Sequence, residues 1–226
     1  MRHRGLVVAI DGPSGAGKST AGRALAERLG YTFVDTGAMY RALALKAMER
    51  GLDLGSEEQL AGLARETRIE LVAGGRAVFL DGRDVTPAIR SRDVSAASSR
   101  ISIHPSVRRD MVSRQRDMGR EGGIVLDGRD IGTAVFPDAE VKFYLDADPT
   151  RRAQRRHVEM AAAGAAADLG VVERDLRARD HADSTRQDSP LVRAEDAIYV
   201  DTTALIPAEV VERMLAAIES KMAERA

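Results

Sequence analysis

The sequence predicts an α/β protein in which a five-stranded parallel sheet lies between layers of helices. Short apolar runs alternate with helical patterns along the 226 residues. A glycine-rich loop joins the first run to the first helix, and polar residues directly follow several other runs. Parallel strands all end at one edge of their sheet, and ligands bind beyond that edge. The fold class therefore also predicts where a functional site would lie.

Five apolar runs are predicted as the strands Leu6–Ile10, Thr32–Val34, Ile124–Leu126, Val141–Leu145 and Ala197–Val200. Helical patterns cover residues 18–29, 38–50, 57–66, 104–118, 150–162, 170–180 and 207–223. One segment departs from this alternation. Apolar residues repeat with period two on both sides of the pair Gly74-Gly75, which predicts an antiparallel hairpin inserted between helices.

We expect a single domain over residues 1–226, in which an insert and a lid interrupt a core. The core is assigned to residues 1–65, 100–150 and 187–226, and the insert with its hairpin to about residues 66–99. The lid is assigned to about residues 151–186, which are rich in Arg, Ala, Asp and Gly. The alanine-rich stretch 161–167 is predicted to join two helices of this lid.

Composition limits the classes of function. The net charge of −1 gives no general affinity for nucleic acid polymers, and no apolar run approaches the roughly 20 residues of a membrane span. The chain contains 0 Cys, which excludes disulfides and thiolate metal sites and favours a cytoplasmic location. Of the 34 Lys and Arg residues, the lysines are Lys18, Lys46, Lys142 and Lys221, and all the others are arginines. Either function or coding bias explains that preference.

A phosphate-binding loop is the strongest motif. Residues 12–19 match G-x-x-x-x-G-K-[ST] between a strand and a helix, which predicts the P-loop NTPase fold and a nucleoside triphosphate as a ligand. The glycines let backbone N–H groups face phosphate oxygens, and the helix adds its positive N-terminus. Lys18 is expected to contact the β- and γ-phosphates, and the Ser19 hydroxyl to bind Mg²⁺. The alternative is a glycine-rich turn that binds nothing. The expected ATP-binding residues of the loop are Gly12, Pro13, Ser14, Gly15, Ala16, Gly17, Lys18, Ser19 and Thr20.

Two further groups of polar residues follow strands and should meet the loop. Thr36, Tyr40 and Arg41 follow the second strand. A hydroxyl and a guanidinium suit a phosphate, and an aromatic ring can stack on a base, although Thr36 equally suits a helix N-cap. Arg129 and Asp130 follow the third strand, where the guanidinium suits a phosphate and the carboxylate suits an exocyclic amine.

The predicted lid carries two charged clusters. The spacing of Arg179, Asp183 and Arg186 places them on one helical face, for which a solvated, salt-bridged surface is the alternative. Arg152 and Arg156 belong to an arginine cluster at the start of the lid. Like charges four residues apart repel, and ATP phosphates would relieve that repulsion. A solvated helix face is again the alternative.

Together these segments resemble the bacterial cytidylate kinases, which phosphorylate CMP and dCMP. The resemblance rests on IDGPSGAGKST (10–20), DTGAMYR (35–41), DGRDIGTAVFPDA (127–139) and RDHADSTRQDSPL (179–191), and it extends from about residue 6 to the final helix. It implies a nucleoside monophosphate kinase core with an enlarged NMP-binding insert. It also implies a monomer that uses ATP and Mg²⁺ and whose partners are small nucleotides.

The resemblance implies which residues hold the phosphate of CMP. Thr36, Arg41, Arg129 and Arg186 match the positions that contact it in the family. Arg129 and Arg186, with Lys18, would also be catalytic, because they would neutralise charge on the transferred phosphoryl group.

The resemblance also implies how the base is recognised. Tyr40 would pack near the base, and Ser99, Arg108 and Asp130 would contact the cytosine edge. Ser98 is adjacent to Ser99, so a shift of one residue exchanges the two serines. Cytosine carries an amino group that donates where uracil accepts, so a carboxylate at Asp130 favours CMP.

The remaining expected contacts involve the sugar, ATP and the metal. The resemblance implies that Arg179 and Asp183 hold the sugar of CMP. The residues themselves suggest that Arg152 and Arg156 contact ATP from the lid, and that Asp127, with Asp35 as the alternative, contacts Mg²⁺ through water. The main alternatives are a kinase of another small acceptor, such as UMP or an alcohol, and a P-loop switch without transfer activity.

Overall fold

The computed structural model describes residues 4–72, 75–162 and 168–223. Its strands are β1 Val7–Asp11, β2 Thr32–Asp35, β3 Ile69–Val72, β4 Ala77–Leu80, β5 Arg83–Asp84, β6 Ile124–Asp127, β7 Val141–Asp146 and β8 Ile198–Asp201. Its α-helices are α1 Lys18–Leu29, α2 Thr36–Glu49, α3 Glu57–Glu66, α4 Arg92–Ile101, α5 Pro105–Gly119, α6 Pro149–Ala162, α7 Leu169–Thr185 and α8 Pro207–Ala223. Within those three ranges, no helix is both long and apolar enough to cross a membrane.

The predicted five-stranded parallel sheet is confirmed. Its strand order is β2-β6-β1-β7-β8, and all the pairings are parallel. Central strand β1 is buried along its whole length and separates two apolar clusters. Val7 and Ala9 face one cluster, while Val8 and Ile10 face the other, which also contains side chains of α1 and α8. The period of two along a strand thus produces the layered fold.

Each strand of this sheet runs one residue beyond its predicted end, and that residue is an aspartate. The five carboxylates at this edge belong to Asp11, Asp35, Asp127, Asp146 and Asp201. Within the described residues, Asp11, Asp35, Asp146 and Asp201 accept backbone N–H groups of segments that follow the strands, at 2.7–2.8 Å. These aspartates thus fix the start of those segments against the sheet.

The predicted hairpin is confirmed as part of a separate antiparallel sheet, β3-β4-β5. Ile69 pairs with Leu80, and Gly75 has a φ of +72° in the turn, whereas Gly74 lies outside the described residues. The sequence reasoning missed α4, which follows this sheet. Its serines compete for backbone hydrogen bonds and weaken the helical pattern. The helix forms because Ser91 caps it and its apolar face packs against α2.

The helices predicted for the lid are both present, although α7 continues to Thr185, five residues beyond its predicted end at 180. Helices α6 and α7 contact each other through a small apolar cluster of Ala153, Val172 and Leu176. Of the stretch predicted to join them, residues 163–167 lie outside the described residues.

A single π-helical turn, Ile131–Val135, follows β6 and was not predicted. Its backbone N–H groups bond five residues back, from Val135 to Asp130 O at 3.1 Å and from Phe136 to Ile131 O at 2.7 Å. Such turns are rare and occur frequently at functional sites. This one begins directly after Asp130.

Gly12, at the end of β1, has no room for a side chain. Its φ is +142°, and a Cβ atom there would lie 1.9 Å from the backbone oxygen of Leu145. Replacing Gly12 with Ala should therefore lower the free energy of unfolding by at least about 2 kcal/mol, measured by urea denaturation. In contrast, Gly62→Ala in α3, where nothing lies within 4 Å of the added atom, should raise it by about 0.5–1 kcal/mol. Equal midpoints for the two variants would contradict this account of Gly12.

Candidate active site

The phosphate-binding loop curls back onto its own lysine. Gly15 and Gly17 have φ values of +78° and +90°, in the left-handed region that glycine tolerates, and α1 begins at Lys18. The Lys18 ammonium donates to Pro13 O at 2.6 Å. Burial, followed by the charge of Arg129, lowers the pKa of Lys18 to about 7. A phosphate bound here would favour the protonated form and restore the charge.

Asp127 lies next to the phosphate loop, and one of its carboxylate oxygens has no hydrogen-bond partner among the described residues. The Ser19 hydroxyl donates to its Oδ2 at 2.5 Å, while its buried Oδ1 has no hydrogen-bond partner among the described residues. Burial, followed by the nearby charge of Asp35, raises the pKa of Asp127 to about 7. A carboxylate oxygen and a hydroxyl on one side of a cavity are the hard oxygen ligands that suit Mg²⁺.

Asp35 and Thr36 connect β2 to α2 and correct one expectation. Asp35, and not Thr36, is the N-cap of α2, since its Oδ1 accepts from Ala38 N at 2.8 Å. The Thr36 hydroxyl instead donates to Asp127 O at 2.6 Å. Burial raises the pKa of Asp35, but the charge of Arg41 and the Ala38 N–H outweigh it, so the pKa lies below its ordinary value. The strand end thus holds Arg41, whose guanidinium lies 2.9 Å from Asp35.

A buried carboxylate, Asp130, lies between two guanidinium groups. Arg108 donates to its Oδ2, and Arg186 lies 3.4 Å from its Oδ1. The side chains of Arg108 and Arg186 are 3% and 5% exposed, so water gives them little solvation. Tyr40 lies in the same region, and burial, with a smaller contribution from Asp130, raises its pKa to about 12. These groups form a buried polar site in which one carboxylate faces two guanidinium groups.

Asp183 joins three arginines at the other side of the cavity. Arg129 Nε donates to Asp183 Oδ2 at 2.7 Å, while the guanidinium groups of Arg179 and Arg186 each lie 4.0 Å from this carboxylate. Burial, followed by the charge of Arg129, lowers the pKa of Arg179 to about 10. Because Asp183 is buried, the solvated face considered from the sequence is wrong. The carboxylate holds three like charges close together.

One cavity of about 290 Å³ brings these groups together. Its cationic side chains outnumber the acidic ones nine to five. The cationic ones are Lys18, Arg23, Arg41, Arg90, Arg108, Arg129, Arg156, Arg179 and Arg186, and the acidic ones are Asp35, Asp127, Asp130, Glu159 and Asp183. Buried Nε of Arg179 and Nη2 of Arg186 have no hydrogen-bond partner within the described part of the chain. The charge and the free donors suit a polyanionic ligand.

Most residues expected at the site line this cavity. From the loop these are Ser14, Gly15, Gly17, Lys18, Ser19 and Thr20. From the other segments they are Thr36, Tyr40, Arg41, Arg108, Asp127, Arg129, Asp130, Arg156, Arg179, Asp183 and Arg186. Gly12, Pro13 and Ala16 shape the loop without lining the cavity. Several of these segments follow strands of the parallel sheet, so their meeting at one edge could be predicted although they lie far apart in the chain.

The structure places Ser98, and not Ser99, on the cavity wall. Ser95, Ser98 and Ser102 are spaced three and four residues apart, so they share the face of α4 that lines the cavity. Ser99 is turned by about 100° from Ser98, and its hydroxyl bonds to Ser95 O at 3.3 Å. Because α4 was not predicted, the sequence offered no basis for choosing between the two serines.

Arg152 also lies outside the cavity lining. Its buried guanidinium donates to Ala147 O at 3.0 Å and to Ser14 O at 3.1 Å, and it pairs with Asp180 at 2.5 Å. Arg152 therefore holds the phosphate loop through its backbone in this structure, while Arg156 reaches the cavity. Five lining residues outside the motifs of the sequence were missed altogether: Arg23, Arg90, Ser95, Ser102 and Glu159. Of these residues, Arg23 could have been predicted from its spacing, because it lies one turn after Ser19 and therefore on the same face of α1.

Known proteins are similar to this chain over nearly its whole length. A family model described as cytidylate kinase matches residues 8–220. A cytidylate kinase of Desulfitobacterium hafniense (strain Y51) is 50% identical over 220 residues, covering 97% of this chain and 95% of the relative. A cytidylate kinase of Geobacillus sp. (strain WCH70) is 48% identical over 217 residues, with 95% and 97% covered.

Similarity to a solved structure supports the fold. A shikimate kinase from Acinetobacter baumannii, solved in complex with shikimate, gives a TM-score of 0.50 at 18% identity and covers 96% of this chain and 95% of its own. At that identity the likeness shows the P-loop kinase fold alone. The family model and the close relatives each span nearly the whole sequence. On that evidence the chain belongs to the cytidylate kinase family.

Proposed function

We propose that this protein transfers the γ-phosphoryl group of ATP to CMP or dCMP, which gives ADP and CDP or dCDP. One observation carries the proposal: a single cavity joins a phosphate-binding loop to a set of arginines and a buried carboxylate. A donor and an acceptor nucleotide both bring phosphates, which explains why so many cations meet there. The identity of the relatives supports the choice of acceptor.

The donor half consists of the loop and its flanking cations. Backbone N–H groups of the loop, Lys18 and Arg156 bind the phosphates of ATP. Ser19 and the unpartnered oxygen of Asp127 fit Mg²⁺, which takes few protein oxygens and completes its shell with phosphates and water. The bound ion neutralises charge on the phosphates. Arg152 acts on this half through Ser14, since its guanidinium bonds to the loop backbone.

The acceptor half begins with the phosphate of CMP. Arg41, Arg129 and Arg186 bind it, because their guanidinium groups line the cavity and each planar group can donate to two phosphate oxygens at once. In this structure the Thr36 hydroxyl donates its hydrogen to Asp127 O. Its oxygen can therefore only accept a hydrogen bond from a group bound in this pocket. Arg179 and Asp183 contact the sugar. A neutral acceptor would leave the excess positive charge of the cavity, nine cationic side chains against five acidic ones, without neutralisation, which disfavours an alcohol.

The base lies against Tyr40 and is read by Asp130 and Arg108. The carboxylate accepts from the cytosine amino group, while the guanidinium donates to the acceptors of the cytosine edge. Uracil has a carbonyl oxygen in place of that amino group, so its binding would leave Asp130 facing an acceptor. Buried polar groups that lose their partner discriminate strongly between substrates. Ser98 is placed to contribute to this recognition, since it lines the cavity beside them.

The transfer needs placement and charge neutralisation, with no covalent intermediate on the protein. An oxygen of the CMP phosphate forms a bond to the γ-phosphorus, and the bond to the oxygen that bridges the β- and γ-phosphates breaks. Lys18, Arg129 and Arg186 stabilise the charge that spreads over the transferred group. Exclusion of water from the cavity prevents hydrolysis of ATP from competing.

We also propose that the insert and the lid act as two arms around this cavity. The antiparallel sheet and α4 belong to the insert, and α6 and α7 have their own small apolar cluster. Arg92 of α4 makes two hydrogen bonds to Asp175 of α7, at 2.8 and 3.2 Å, and so connects the arms. We further propose that the protein acts as a monomer in the cytoplasm.

A coupled assay that detects ADP tests the acceptor. With ATP and Mg²⁺, we expect kcat/KM to be at least about 10²-fold higher for CMP and dCMP than for UMP or AMP. Direct measurement of CDP confirms transfer. Preferred turnover of UMP or AMP would refute the assignment of Asp130, and nucleotide binding without CDP formation would indicate a P-loop switch.

A further inference from the structure

We infer that Asp11 and Arg116 are positioning residues that hold the π-helical turn Ile131–Val135 and thereby orient Arg129 and Asp130 toward the acceptor nucleotide. Neither residue lines the cavity. The inference rests on the proposed function, which assigns the phosphate and base of CMP to the two residues that precede the turn.

Asp11 holds the first end of the turn. Its Oδ1 accepts from Ile131 N at 2.8 Å and its Oδ2 from Gly132 N at 2.7 Å, so both carboxylate oxygens are used on consecutive amides. Asp11 is 5% exposed, so water does not compete for these bonds. Because it ends β1 directly before Gly12, the same residue connects the donor loop to the acceptor segment.

Arg116 of α5 holds the other end. Its Nε donates to Val135 O at 2.9 Å and its Nη2 to Ala134 O at 2.7 Å. The turn thus has a carboxylate at its N–H end and a guanidinium at its C=O end. This is the arrangement of charges that stabilises a helical segment.

The turn needs such support because its own geometry is unfavourable. Hydrogen bonds that span five residues are rare in proteins, and Asp130, with φ −146° and ψ 26°, is neither helical nor extended. Space around Gly132 is also limited, since a Cβ there would lie 3.0 Å from Lys142 Cδ and 3.4 Å from Asp11 Oδ2. Removal of either support should let the turn relax and move Arg129 and Asp130.

The variants R116Q and R114Q form a matched pair on α5. Arg114 also donates to two backbone oxygens, Thr67 O and Ala64 O, but these belong to the end of α3 and the residue after it. For R116Q we expect KM for CMP to rise about tenfold and the CMP-over-UMP preference to fall at least about threefold, with KM for ATP within about twofold. R114Q should keep the wild-type preference and both KM values.

D11N tests the first end by a readout other than activity. The amide of Asn replaces one accepting oxygen with a donor, so one of the two N–H groups loses its partner. Hydrogen–deuterium exchange over residues 131–136 should become at least about tenfold faster in D11N and R116Q, but not in R114Q.

The outcomes separate this inference from the proposed function. A wild-type protein that forms no CDP would overturn the proposed function, and the inference would fall with it. Wild-type CDP formation with the same CMP-over-UMP preference in R116Q and R114Q would overturn the positioning role alone. Unchanged exchange over residues 131–136 in both D11N and R116Q would overturn it as well.

Discussion

Lys18→Met should lower kcat by about 10²–10³-fold while the free energy of unfolding stays equal or rises. The rate falls because one preorganised cation is lost from the phosphates where charge develops. We expect no loss in the free energy of unfolding. The charged ammonium is unfavourable in this buried position, as its pKa of about 7 indicates, so its removal costs little. The coupled assay at saturating ATP and CMP measures the rate, and urea denaturation measures the stability.

Lys46→Met is the matched control for this prediction. Lys46 is also buried, but its ammonium pairs with Asp81 outside the cavity. Its replacement should leave kcat within about twofold, while the free energy of unfolding falls because Asp81 loses its ion pair with Lys46 and keeps the hydrogen bond from Arg68 N. If K18M retained the wild-type rate, Lys18 would have no catalytic role. If K18M were strongly destabilised, the ammonium would be a structural group.

Asp130→Asn should weaken the preference for CMP over UMP by about 10–150-fold, which corresponds to the about 1.5–3 kcal/mol of a hydrogen bond to a charged group. The shape of the side chain is kept, but the amide can offer a donor to uracil where the carboxylate could only accept. Stability should also fall, because Arg108 and Arg186 are buried and lose their shared counterion. Separate kcat/KM values for CMP and UMP give the preference.

Asp110→Asn provides the control on α5. Asp110 lies two residues from Arg108 but pairs with Arg114 at 2.8 Å, away from the cavity. The CMP-over-UMP preference of D110N should equal that of the wild type. A D130N protein that folds and still prefers CMP to the wild-type extent would show that another group reads the amino group of cytosine.

The sequence was informative where the determinant of structure is local. The phosphate loop depends on consecutive residues, and β1 depends on a short apolar run, so both could be predicted with nearly correct bounds. Arg41 and Arg129 could be expected near the phosphate loop, because their segments follow strands that end at the same edge of the sheet, whereas Arg186 belongs to the predicted lid.

Features that tertiary contacts create were not predictable. Helix α4 is poor in strong helix formers and owes its existence to packing on α2, so Ser98 could not be distinguished from Ser99. The π-helical turn depends on Asp11 and Arg116, which are 120 and 19 residues away from the turn positions that they bond. Arg152 was misplaced for the same reason, because its partner Asp180 lies on another helix.

The nine cationic side chains that line the cavity give a reason for the scarcity of lysine in this chain. Eight of them are arginines, and the single lysine is the one whose pKa falls to about 7. Arg179, which lines the same cavity, has its pKa lowered only to about 10 and so keeps its proton at neutral pH. A cluster of ammonium groups at this depth would lose protons before any nucleotide arrived. Guanidinium groups let the empty pocket stay electropositive, ready to attract phosphate from solution.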